Sequence, residues 1–71
     1  MRFNYSKLYG RMAELGISKE KLAQMIGMSR SSLYKKLISS REFTQSEIIQ
    51  CAEILNISPL DIPEYFFTVN V

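Results

Sequence analysis

Seventy-one residues with 46% apolar side chains make one small domain, because a chain this short buries only about 60% of its unfolded surface and needs a compact, short-looped core. No histidine and a single cysteine exclude a His-dependent catalytic centre, a Cys/His zinc site and an internal disulfide. The net charge of +2 conceals a division: residues 1–41 hold all nine Lys and Arg and two of the acids, a net +7, whereas residues 42–71 hold five acids and no base, a net −5. One half suits a phosphate backbone, and the other suits solvent or a basic protein.

Residues 1–3 read as a short, loosely held arm. Asn4 is a suitable N-cap for a first helix to about Leu15, with Leu8, Met12 and Leu15 on its apolar face, extended by Tyr5, and Lys7, Arg11 and Glu14 outside. Gly10 marks either a close helix approach or a tolerated surface glycine. Gly16 ends this helix, and Ile17 returns to the core.

Ser18 caps a second helix whose Leu22, Ala23 and Ile26 recur at helical spacing and stop at Gly27. Ser29 caps a third helix. Only Gly27 and Met28 lie between, so the chain must turn sharply there, with Gly27 free to take a positive φ and Met28 as an apolar plug. Two helices so joined read as a helix-turn-helix over residues 18–38. Leu33 and Leu37 face inward, leaving Arg30, Ser31, Tyr34 and Lys35 as an outward stripe. Each of these side chains can donate a hydrogen bond, and arginine can grip guanine O6 and N7 with two. A charged outer face can be merely solvated; its position at the N-terminus of the second motif helix favours base contacts in the major groove.

The loop at residues 38–43 puts Arg41 directly after the motif helix, where it suits a phosphate, although a plain surface loop would look the same. Thr44 and Glu47 form a capping box that opens a helix to about Leu55, with Ile48, Cys51, Ala52 and Leu55 on one face and Ile49 at its edge. Cys51 is therefore a small buried hydrophobe. Asn56 tolerates the left-handed conformation that ends the helix, and Ile57 turns back to the core. Ser58 and Pro59 start one further turn that Pro63 limits. The tail, residues 64–71, is rich in aromatic and β-branched side chains and reads as an extended strand, either laid over the core as a lid by Tyr65 and Phe66 or paired with a second chain. Glu42, Glu47, Tyr65, Phe66 and Phe67 are the candidate partner-binding residues.

The motif residues Leu22, Ala23, Ile26, Gly27, Met28 and Leu33 give the chain a likeness over residues 5–62. It resembles the Cro/CI-type helix-turn-helix proteins of temperate phages, whose lambda-repressor-like fold has about five short helices. The resemblance implies an all-α domain, with Lys19 on the DNA backbone and Arg30, Ser31, Tyr34 and Lys35 in the groove. Lys36 departs from the pattern, which often has an apolar residue there; its stem would lie along the surface with the ammonium near a phosphate. Short phage-borne members with Tyr-Ser-Lys-Leu near the start and a Tyr-Phe-Phe tail look closer still, which implies a switch protein encoded beside a lysogenic repressor.

Two functions follow from these readings. One is a Cro-like regulator that binds double-stranded operator DNA as a dimer, with helix 30–38 in the major groove. The other is an anti-repressor in a heteromeric complex with the phage repressor, using Glu42, Glu47, Glu53, Asp61 and Glu64 against that protein's basic surface. Neither is an enzyme: there is no glycine-rich phosphate loop, and the carboxylates are not paired near a nucleophile. No cofactor, metal or small-molecule substrate is expected. Without a membrane-length apolar run or a signal-peptide core, the expected location is the cytoplasm of a bacterial host.

Overall fold

The computed structural model describes residues 2–69. Its elements are α1 (Ser6–Leu15), α2 (Lys19–Ile26), α3 (Arg30–Leu37), α4 (Gln45–Ile54), a 3-10 turn (Pro59–Asp61) and α5 (Ile62–Phe66). The expected all-α architecture of five short helices is present.

Four of the helices end in a left-handed residue, α3 at Ser39 with the Ser40 amide on the Lys35 carbonyl at 2.9 Å, and in the other three an apolar residue follows. Beyond α1, α2 and α4, the residues Gly16, Gly27 and Asn56 take φ of 66°, 74° and 53°. The amide of the next residue then reaches back over the last turn: Ile17 to the Met12 carbonyl, Met28 to Ala23 and Ile57 to Ala52, at 2.8–2.9 Å. Carbonyls left open at a helix end are satisfied in this way, and the following apolar side chain is turned into the core. Helix starts are as local. Ser18, Ser29 and Thr44 each accept an amide from the first turn of α2, α3 and α4. The Thr44–Glu47 box is complete, with bonds of 2.9 and 3.2 Å in the two directions.

The core comprises Tyr5, Leu8, Met12, Leu22, Ala23, Leu33, Leu37, Cys51, Ala52, Leu55, Ile57 and Phe66. Phe43 stands edge-on to Tyr5 and Phe66, with ring centroids 5.6 and 5.5 Å apart. Burial pushes the Cys51 thiol up to about 12, with the Glu47 charge adding to the shift, so the sulfur behaves as packing.

Several expectations are corrected, and the open alternative at Gly10 is settled. Tyr5, not Asn4, precedes α1 directly, and Asn4 instead accepts the Ser6 amide through Oδ1 at 2.8 Å. Leu15 is exposed. A Cβ on Gly10 would meet nothing within 4 Å, so it is a surface glycine and not a point of close approach. Arg11 is not simply solvated: Nε donates to the Leu55 carbonyl at 2.8 Å and Nη2 to that of Asn56 at 3.3 Å, closing the end of α4 from across the core. The tail is the largest correction. Pro63 sits in the first turn of α5, where its missing N–H costs nothing, and Glu64, Tyr65 and Phe66 are helical. Burying the Phe66 ring, 1% exposed, outweighs the strand preference of its neighbours.

Among the described residues, extended pairing survives as an antiparallel bridge between Phe3 and Val69, with the Asn4 amide on the Thr68 carbonyl at 2.7 Å. Phe3 is therefore tied down, and its amide also donates to Ser39 Oγ at 3.1 Å. Ser39, the left-handed residue that ends α3, thus also links that helix end to this segment. Expectations for residues 1, 70 and 71 lie outside the described residues.

Candidate functional site

Helices α2 and α3 are joined through Gly27, Met28 and Ser29, with Met28 half-buried beneath the turn. The geometry sets the N-terminal turns of the two helices side by side. Between them lies a groove of about 530 Å³ lined by Ser18, Lys19, Glu20, Arg30, Ser31 and Tyr34.

Arg30, Ser31, Tyr34 and Lys35 are all exposed, the Tyr34 ring at 54%. Lys19, also exposed, holds its ammonium 5.0 Å from the centroid of the Tyr9 ring, a cation–π distance that steadies it at the groove's edge. The Tyr9 hydroxyl titrates above its usual range because it is partly buried and because Tyr34 is its neighbour. The structure thus brings Lys19, Arg30, Ser31 and Tyr34 to one groove, with Lys35 on the same exposed side of α3. Arg41 lies apart, in a second groove of about 420 Å³ with Phe3, Ser39, Ser40 and Glu42.

Lys36 is elsewhere. Its ammonium is bound to the Glu47 carboxylate, with the two side chains only 12% and 21% exposed. Burial would raise the Glu47 carboxyl, but the Lys36 ammonium and the Thr44 amide and hydroxyl outweigh it and hold the group below the usual carboxylate range. This pair joins α3 to α4 inside the fold, so Lys36 is not placed for a phosphate and Glu47 is not free for a partner. Phe66 is likewise core, and Tyr65 is half-buried against it. Glu42 and Phe67 remain exposed, the latter edge-on to Phe3 with centroids 6.3 Å apart.

Sequence reasoning missed Glu20. Its Oε1 accepts a bond of 2.6 Å from Arg30 Nη1 across the groove. The available signal was the motif itself: helices joined by so short a turn carry their first turns to a common edge, and Glu20 and Arg30 both lie in first turns. The protruding Leu60, 90% exposed, was also not singled out.

Residues 1–69 match the model of a family described as "Protein of unknown function (DUF739)". The chain belongs to the DUF739 family. No curated protein matches it. Among solved structures, this DUF739 chain is similar to the solution structure of the modulator of repression (MOR) of the temperate bacteriophage TP901-1 from Lactococcus lactis. The identity is 30%, the match covers 99% of this chain and 97% of that one, and the TM-score is 0.80. Fold and length are therefore shared with a phage regulator. Among the described residues, no helix is long and apolar enough to cross a membrane.

Proposed function

We propose that the chain is a regulator of a temperate phage's lysis/lysogeny switch that works in the host cytoplasm by binding the phage's CI-type repressor and weakening its hold on DNA. The observation that carries this reading is the end-to-end likeness to a modulator of repression. The charge division supports it. Glu42, Glu53 and Asp61 are exposed and, among the described residues, have no ion-pair partner. They form an acidic complement to a protein whose own DNA-reading surface is basic. Binding, not catalysis, is the whole of this activity.

The exposed stripe on α3 favours a second reading, direct operator binding in the manner of the Cro/CI-type proteins that the motif resembles. Arg30, Ser31, Tyr34 and Lys35 would then read bases, Lys19 and Arg41 would hold phosphates, and a homodimer would present two such helices to a two-fold site.

A gel shift at fixed salt, on DNA from the chain's own switch region and with or without the neighbouring repressor, separates the two. Loss of the repressor's shift, with none from the chain alone, is the expected result. Specific retardation by the chain alone would establish the operator-binding reading instead, and no effect in either lane would remove both.

A further inference from the structure

We propose that Glu20 is a built-in competitor for DNA, a carboxylate that occupies the base-reading arginine of α3 and keeps the stripe's affinity for duplex DNA low. The inference rests on the second reading above, in which this stripe faces DNA.

A guanidinium reads guanine through two parallel donors to two acceptors, and a carboxylate presents the same two acceptors with a full negative charge. At 2.6 Å from Arg30 Nη1, Glu20 sits where a base edge or a phosphate oxygen would have to bind. It does so from the groove wall, beside Ser18, Lys19, Ser31 and Tyr34. At physiological salt this charge repels phosphates that come within about 8 Å of it.

The fold depends little on the pair. Both side chains are about two-thirds exposed or more, at 67% and 71%, and pairs so placed add little stability. The α2 cap is supplied separately by Ser18 Oγ, which accepts the Lys21 amide at 3.1 Å. Glu20 is also the sole acid on α2 and α3. Its effect is thus spent on what the stripe can bind, which makes it a specificity-determining residue: it biases the surface away from bare DNA.

The test is fluorescence anisotropy of labelled duplexes, one from the switch region and one scrambled, across 50–300 mM salt, with circular dichroism to confirm folding. The full-length chain is compared with Glu20→Gln, Arg30→Ala and the double variant. Glu20→Gln should bind about tenfold tighter, with a salt slope steeper by about one. In the Arg30→Ala background the same change should yield little. Equal affinity of Glu20→Gln and wild type, in a set where Arg30→Ala is weaker than both, would overturn the proposal and leave the stripe reading standing. A tenfold gain that persists without Arg30 would also overturn it, since general charge repulsion would then suffice. Failure of all four proteins to bind at the lowest salt would remove the stripe reading, and this proposal with it.

Discussion

The two sides of α3 carry the same chemistry to opposite ends. On each, a cation from α3 meets a carboxylate from another helix: Lys36 with Glu47 on the inner side, Arg30 with Glu20 on the outer. The inner pair is largely covered, adjoins a capping box and lies beside the buried Leu33 and Leu37. The outer pair stands in solvent at the mouth of a groove. Charge type does not separate a structural pair from one free to exchange partners. Burial does, because a covered pair cannot exchange its partner for water or a ligand without leaving a desolvated charge behind. Lys35 and Lys36 are adjacent in the chain, yet the helical rotation between them sends one to solvent and the other to Glu47.

Substitutions along this contrast should fall in a clear order. Leu33→Ala, which empties a fully buried site, should cost about 2–5 kcal/mol in denaturant unfolding; a cost below about 1 kcal/mol would show that α3 is not packed as described. Glu47→Ala removes the box and strands Lys36, and should cost about 1–2 kcal/mol.

The same carboxylate sets a pH dependence. Its folded pKa lies below the unfolded one, so its contribution is present above about pH 4.5 and is lost as acid protonates the folded state. Stability measured from pH 6 down to pH 3 should therefore fall less steeply in Glu47→Gln than in wild type.

Cys51 offers a probe without a substitution. With a thiol pushed up to about 12, it should resist thiol reagents at pH 8 and react at the rate of global opening. Fast labelling in native buffer would place it outside the core. Smallest of all in stability are the outer-face changes. Tyr34→Ala and Lys35→Ala should shift unfolding by no more than about 0.5 kcal/mol while weakening any binding of duplex DNA. Variants that bind DNA like wild type would remove the stripe from the operator-binding reading and leave the acidic residues Glu42, Glu53 and Asp61 as the proposed working surface.

Helix starts and stops are written locally in the chain. Ser18, Ser29, the Thr44–Glu47 box, Gly16, Gly27 and Asn56 mark helix ends through hydrogen bonds and dihedral preferences that act within five residues, so they are legible without the fold. The outward stripe was legible for the same reason, since helical periodicity places it. Tertiary structure alone decided the long-range matters. The tail's aromatic run prefers a strand locally, but Phe66 gains more by closing the cluster with Tyr5 and Phe43 as part of a helix. Lys36 read as a surface cation until α4 brought Glu47 to it, and Glu20 as an ordinary first-turn acid until α3 brought Arg30. A side chain's role depends on what the rest of the chain places beside it, and for partners ten to sixty residues away that is settled only when the helices pack.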